Sequence, residues 1–473
     1  MITWLSAAYV AALGAMAVYG LLGLATLLFY WRHRRDVFPC PEAADEVLPA
    51  VTVQLPIYNE RLVLPRLLAA AAALDYPRDR LQIQVIDDST DETATLAARL
   101  VEAYRAQGAP MELVRRENRQ GFKAGALAAA LTAARGEFIA IFDADFQPPP
   151  DFLRRTIPYF AENARLGVVQ ARWGHLNDGE SALTAAQAIA MDKHFAIEQT
   201  VRHRANLFPK FNGTAGIWRR RCIEEIGGWE ADTVCEDLCL STRAVLHGWQ
   251  FCFLPDVVAP AELPASISAY KSQQARWAKG STQCLLKYGG KIARCRHQSV
   301  AARLYALLAM SAYGTHGLLL LLLLLLIPLL AFDFRFSPHL AWLGIAGVGQ
   351  PLLFVMSQQI LYRDWPRRLR YFPVMMLVAV GLAPGNCRAM GQALLGRRAD
   401  FVRTPKGDAL NPAQRYRLPL DWIVVVEAAL AVYAAVGLGL AWRQGNYGPL
   451  PFLITCVVGF GYVVYLTLRE RVC

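Results

Sequence analysis

The sequence predicts an α/β domain on a mostly parallel sheet, inserted between α-helical transmembrane segments. Three observations predict it. Long apolar runs lie at the start and in the last third of the 473 residues, while the middle reads as an ordinary soluble domain. In that middle, short β-rich runs alternate with helical ones, the pattern of a parallel sheet covered on both faces. Acidic residues fall where the apolar runs end, and ligands bind at the carboxyl ends of such strands. The chain is 55% hydrophobic with a mean hydropathy of +0.26, and its length suits about two to three units.

The membrane elements follow in order. Residues 5–30 carry no charge and exceed the roughly 20 residues that span a bilayer. They are too long for a signal-peptide core and lack a basic segment before them. The basic residues Arg32, Arg34 and Arg35 follow, so this helix enters from outside and ends inside. A second span is expected in 304–332, with an unbroken leucine run from Leu318 to Leu326, and a third in 340–361. The loop between these two is short. The loop after the third carries Arg363, Arg367, Arg368 and Arg370, which marks it as internal. Two more spans are expected at 422–441 and 450–468. Residues 371–395 are apolar, but Pro384, Gly385 and Asn386 interrupt them and Arg388 follows. They are expected to re-enter or lie in the interface. The result is five spans, with the N-terminus outside and the C-terminus inside.

The net charge of +11 raises nucleic acid as a partner, but no RNA-binding or zinc-knuckle pattern supports it, and many basic residues flank apolar segments. Ten scattered cysteines contain no complete zinc spacing, Cys235 and Cys239 included. They are expected to be reduced thiols of a cytosolic domain.

Four strands are expected, at residues 51–55, 82–86, 112–115 and 138–142, with helices starting near Glu60 and Glu92. Asp87 and Asp88 close the second strand. A carboxylate there can hydrogen-bond a nucleotide, and Asp88, Ser89 and Asp91 would equally serve as helix N-caps. Asp143 and Asp145 follow the fourth strand, and two carboxylates at that spacing can hold a divalent cation against a diphosphate. Lys123, between Gly121 and Gly125, offers a cation near a helix start. Glu236 and Asp237 open a helical stretch, where Asp237 could act as general base, or where both could simply complement the helix dipole. Gln273, Arg276 and Trp277 lie on an amphipathic stretch. Arg can grip a diphosphate with two prongs and Trp can stack on a sugar, while the same stretch also fits an interfacial helix.

Taken in order, these residues resemble the motifs of the membrane-integrated family 2 glycosyltransferases. Asp87 stands for the first aspartate, Asp143 and Asp145 for the DxD, Glu236 and Asp237 for the ED, and Gln273, Arg276 and Trp277 for the QxxRW. The segments around Asp87, Lys123, Asp143 and Phe211–Trp218 are similar to those of the cellulose synthase-like A and C group and its bacterial relatives. The resemblance covers nearly all of residues 51–288. It implies a GT-A fold over 48–264, preceded by a transmembrane helix in 1–35. Interfacial helices at 265–300 and a membrane region at 301–473 follow. It also implies a cytosolic gating-like loop at 396–417, in which Phe401, Thr404 and Lys406 match the family's pattern while Arg403 stands where that pattern has Val. Cys235 stands where many members have Thr or Val. Only one span precedes the catalytic domain, and no C-terminal cyclic-dinucleotide domain is expected.

The resemblance implies single displacement with inversion. Asp237 would deprotonate the acceptor. Tyr58, Glu60, Asp87, Lys123, Asp143, Asp145, Gln273 and Arg276 would bind the donor. Glu236 and Trp277 would meet the acceptor, and Asp143 and Asp145 would hold Mg²⁺ or Mn²⁺. The expected partners are a nucleotide sugar of the UDP-glucose or GDP-mannose type, a glycan or lipid acceptor, and membrane lipid, with no nucleic acid. A bacterial inner membrane is the expected location. A processive β-glycan synthase is the first reading and a glycolipid synthase adding a single hexose the second. A non-catalytic scaffold or transporter subunit is the third.

Overall fold

A computed structural model of the chain describes residues 2–36, 41, 44–397 and 419–472. The soluble part is built on seven strands: β1 (Val51–Ile57), β2 (Leu81–Asp87), β3 (Met111–Arg115), β4 (Phe138–Ile141), β5 (Leu166–His175), β6 (Gly216–Arg219) and β7 (Gln250–Ala261). Their order in the sheet is β3-β2-β1-β4-β6-β5-β7. Every pairing is parallel except those of β6 with β4 and β5. The four expected strands form, each within a residue or two of its expected ends. The last three, and with them the antiparallel insertion, are additions that the alternation of runs did not disclose.

Both faces of the sheet are covered. Val53, Leu55, Ile83, Val85 and Ala140 pack on one side with the helix Leu64–Ala72, while Ile139, Ile141, Val168 and Trp218 pack on the other with the helix Phe122–Thr132. This explains why the strands read as near-continuous apolar runs. The polar exceptions hydrogen-bond to one another in a ladder across three strands. The Thr52 hydroxyl donates to Gln82 Oε1 at 2.7 Å, Gln54 Nε2 to Gln84 Oε1 at 3.0 Å, and Gln82 Nε2 to Glu112 Oε1 at 2.6 Å. Buried amides without such partners would each cost about 1–3 kcal/mol.

Among the described residues, four helices are long and apolar enough to cross a bilayer: Ile2–His33, Gly314–Ala331, Ile423–Arg443 and Leu450–Arg471. The protein is an integral membrane protein. The expected second segment divides into Val300–Met310 and Gly314–Ala331. Residues 340–361 divide into Ala341–Ala346 and Gly349–Leu361. At 1.5 Å per residue, the second of these is too short for a bilayer core of about 30 Å. The two pieces are separated only by Gly347 and Val348, and both lie against the first helix, where a Cβ on Gly20 would lie 2.2 Å from the Ala346 carbonyl oxygen. Small residues permit such backbone contact between apolar helices. A fifth candidate span is the pair Trp365–Gly381 and Ala383–Leu394, bent by 43°. It contains the segment expected not to cross, and its bend falls beside the Pro384-Gly385-Asn386 interruption.

One long helix, Ile267–Ala293, joins the two halves of the molecule. Ser266 caps it, its Oγ accepting from the Ala269 N–H at 3.2 Å. Glu470, from the last helix, accepts from the N–H groups of Ile267 and Ser268 and from the Ser268 hydroxyl. Lys271 Nζ lies 2.6 Å from Glu427 Oε1, and the Glu427 side chain is fully buried. Breaking a buried ion pair on one side leaves an uncompensated charge, at a cost of about 3–5 kcal/mol. Lys271→Met or Glu427→Leu alone is therefore expected to lower the unfolding midpoint of the full chain in lipid nanodiscs, and the double substitution to recover most of the loss. A double variant as unstable as the sum of the singles would show that the pair does not act as a pair.

Candidate active site

A cleft opens at the carboxyl ends of β1, β2 and β4. It is bounded on the far side by the ends of β5 and β7 and by the helix Ile267–Ala293. With its open mouth it measures about 1520 Å³. Ten of the residues singled out from the sequence line it: Tyr58, Glu60, Lys123, Asp143, Asp145, Glu236, Asp237, Gln273, Arg276 and Trp277. Phe401, Thr404 and Lys406 lie outside the described residues.

Asp87 does not line the cleft. Strand residues alternate sides, and it is Ile86 and Asp88 that face inward. The Asp87 carboxylate is fully buried behind them. Its Oδ1 accepts from the Ser89 N–H at 2.9 Å, and Arg115 lies 3.4 Å away. Asp88 grips Arg116 in two-pronged fashion at 2.7 and 2.5 Å. The same guanidinium donates to the carbonyls of Gln120 and Phe122 at 2.7 and 2.9 Å, which pins the turn leading into the Lys123 helix. Beside it the Arg119 guanidinium stacks 3.3 Å over the Tyr58 ring, forming a flat cationic wall at the β1–β2 end.

The centre of the cleft is acidic. Asp143 follows β4, its N–H donating to the Thr214 hydroxyl at 2.9 Å. Lys123 Nζ lies 2.5 Å from Asp143 Oδ1, 3.0 Å from the Gly213 carbonyl and 3.9 Å from Glu236. Burial works against the lysine's charge, but Asp143, Glu236 and Asp237 more than offset it and leave its pKa raised. Burial also raises Asp143, against the pull of Lys123, and Asp145 pushes it further up.

Glu236 and Asp237 form the first turn of the helix Glu236–Leu246, where the exposed N–H ends favour carboxylates. Gly213, at φ +86°, lies against Asp237. A Cβ there would be 3.0 Å from Asp237 Oδ2. Gln273, Arg276 and Trp277 are spaced i, i+3 and i+4, so one face of their helix turns all three inward. That helix comes close because Gly280 faces Cys235, where any Cβ would lie 2.2 Å from the sulfur. Cys235 is thus a packing residue at this contact.

Among the described residues, no group of three or more His, Cys, Asp or Glu forms a protein-only metal cage. Asp143 and Asp145 supply hard oxygen donors facing an open cleft. That fits a Mg²⁺- or Mn²⁺-type cation completed by phosphate oxygens. The sequence reading gave no role to His175 and Glu262, or to Asn212 within the Phe211–Trp218 segment, and all three also line the cleft. His175 hydrogen-bonds the buried Asp192 at 2.9 Å, and Asp192 accepts in turn from Gln358 and Tyr362 of the membrane part. Glu262 pairs with Arg66.

The model of the glycosyltransferase like family 2 matches residues 49–280. Glucomannan 4-beta-mannosyltransferase 7 of Arabidopsis thaliana is 33% identical over 454 residues, covering 92% of this chain and 80% of its own length. Probable glucomannan 4-beta-mannosyltransferase 9 of rice is 32% identical over 447 residues, covering 89% and 84%. The enzyme numbered 1 from Cyamopsis tetragonoloba is 42% identical over 265 residues, and the aligned part spans half of its length. Among solved structures, the mannosyltransferase PcManGT from Pyrobaculum calidifontis, in complex with GDP-Man and Mn²⁺, superposes with a TM-score of 0.55 at 24% identity. It covers 82% of this chain and 100% of its own and shares the fold.

Burial pushes the Glu236 carboxyl up to about 6 from its usual 4.5, with Lys123 pulling it down and Asp237 pushing it up. The folded state thus holds this proton more tightly than the unfolded one. The stability that confers is complete below about pH 4.5 and is lost as pH rises through about 6. Glu236→Gln is expected to stabilise the full chain by about 2 kcal/mol at pH 8 and by nothing at pH 4. Denaturation midpoints in detergent at the two pH values check this, and an equal effect at both would contradict it.

Proposed function

This chain belongs to glycosyltransferase family 2, in the branch that holds the glucomannan 4-β-mannosyltransferases, and from that premise we propose that it is a processive β-1,4-mannan or glucomannan synthase drawing on GDP-mannose. It is a hexosyltransferase with a GT-A fold. The observation that carries the product assignment is the extent of the likeness to plant mannosyltransferases. It runs over 92% of the chain and through the membrane helices, not over the soluble domain alone.

In this reading the division into 1–35, 48–264, 265–300 and 301–473 separates an anchor, a transferase, a bridging helix and a membrane region. The N-terminus faces outward, and the transferase and C-terminus face a cytosol bounded by a bacterial inner membrane. Tyr58, Arg119 and Asp88 flank the nucleobase, with Glu60 and Gln273 completing the donor side. Asp87 acts from behind, holding the turn at Ser89. Asp143 and Asp145 would hold Mg²⁺ or Mn²⁺, whose charge offsets that of the leaving diphosphate. Arg276 and Lys123 supply fixed positive charge beside the same diphosphate. Asp237 takes the proton of the acceptor hydroxyl as that oxygen attacks the anomeric carbon, and one displacement inverts the configuration. Glu236 stands beside it, and Trp277 offers its face to the acceptor sugar. UDP-glucose is the second donor this cleft would take if the product is a mixed glucomannan.

Purified full chain in lipid, given radiolabelled GDP-mannose with or without UDP-glucose and with Mn²⁺, is expected to release nucleoside diphosphate and build a polymer that β-1,4-mannanase digests. A product of one sugar on lipid would overturn the synthase reading. Asp237→Asn is expected to bind GDP as the parent does and to lose about 10²–10⁴ in transfer rate, the range that general-base catalysis supplies. Turnover within twofold of the parent would remove Asp237 from that role.

A further inference from the structure

Asn212 and the buried cluster behind it are absent from the roles above. Asn212 is half-buried and lines the cleft one residue before Gly213, which abuts Asp237. Its orientation follows from its neighbours by elimination. Gln199 Nε2 lies 3.1 Å from the Lys210 backbone carbonyl and 3.1 Å from Asn212 Oδ1. A carbonyl only accepts, so the amide nitrogen of Gln199 must face it, and Asn212 presents its oxygen to that nitrogen. Asn212 Nδ2 therefore faces His194 Nε2, at 3.0 Å. That ring nitrogen must accept, so the ring proton sits on Nδ1 and is donated to Glu198 Oε2 at 2.8 Å. Lys193 holds the other Glu198 oxygen at 2.6 Å. The Asn212 backbone is fixed as well. Its N–H donates to Gln170 Oε1 at 2.9 Å, and Gln170 Nε2 faces three backbone carbonyls.

The charge states agree with this wiring. Burial, then Lys210, depresses His194 to about 4, so the ring is neutral. Burial would raise Glu198, but Lys193 and His194 hold it well below the usual range, so it is ionised and accepts.

The helix is built for this contact. His194 and Gln199 are five residues apart, and an α-helix would turn them about 140° away from each other. Residues His194–Gln199 form a π-helix, which brings i and i+5 onto one face, so both side chains reach Asn212.

We propose that Asn212 is an acceptor-binding residue, donating its second Nδ2 hydrogen to the hydroxyl next to the attacking one on the acceptor's terminal sugar, and that His194, oriented by Glu198, positions it. The inference rests on the transfer reaction proposed above and names the acceptor class, a sugar with a vicinal diol at its growing end. While the attacking hydroxyl gives its proton to Asp237, the neighbouring oxygen accepts from Asn212, which fixes the ring relative to the base.

The test uses the full chain in lipid with GDP-mannose and β-1,4-mannooligosaccharide acceptors ending in mannose or in 3-deoxymannose. The unsubstituted protein should show an acceptor KM about tenfold higher for the deoxy acceptor, the loss expected for one hydrogen bond. Asn212→Ala should show the higher KM with both acceptors, and so no further loss on going from the mannose to the deoxy acceptor. His194→Phe should behave like Asn212→Ala. His194→Gln, which can accept from Asn212 and donate to Glu198, should recover much of the loss. Independent, multiplying effects of the deoxy acceptor and Asn212→Ala would overturn the contact. Equal loss in His194→Gln and His194→Phe would overturn the positioning role. Absence of any GDP-mannose turnover in the unsubstituted protein would instead defeat the transfer reading itself, and this inference with it.

Discussion

Lys123 is the cation on which the cleft is organised. Asp143 and the adjacent pair Glu236 and Asp237 come from two separate stretches of chain, and close-set buried carboxylates repel one another. The ammonium of Lys123 touches Asp143 and the Gly213 carbonyl and lies within 4 Å of Glu236. It thereby ties the end of β4, the turn against Asp237 and the helix of Glu236 into one body. Its own position depends on Arg116, which holds the preceding turn through Asp88 and two carbonyls. The side of the cleft that holds Tyr58 and Arg119 and the side that holds Lys123 and Asp143 are thus coupled through one short loop.

The second organising element is the helix Ile267–Ala293. Its inward face carries Gln273, Arg276 and Trp277, and its outer residues are fastened to the last two membrane helices by Glu427 and Glu470. Tyr313 donates to Gln274 Oε1 at 3.1 Å, a third tie to the membrane part. Asp192 adds a fourth at the other wall, between His175 and Gln358. A transferase fixed to its membrane helices at both walls of the cleft suits a product that leaves by way of the membrane, and it gives those helices a part in setting the geometry of Arg276.

Much of this was legible in the sequence because the chemistry lies at the ends of regular elements. Asp143 and Glu236 follow or open patterned segments, and the spacing of Gln273, Arg276 and Trp277 reads directly as one helix face. Three features were hidden for definite reasons. β6 has four residues, and β7 contains Pro255 and Pro260, so neither shows a strand pattern. Asp87 and Asp88 are adjacent, and only the side chosen by the strand pleat separates the buried one from the one facing the cleft. The Asn212 cluster joins residues 170, 194, 198, 199 and 212 through a π turn that no periodicity announces. In the membrane part, composition located the apolar segments, but the break at Gly347–Val348 and the 43° bend are products of packing.

The central claim is that Lys123 gathers the carboxylates into a site for a nucleoside diphosphate. Equilibrium binding of GDP with Mn²⁺ to the full chain and to its Lys123→Met variant tests it most directly. The account predicts at least a tenfold loss of affinity in the variant, since the diphosphate would meet an acidic cleft without its organising cation. Undiminished affinity would contradict it.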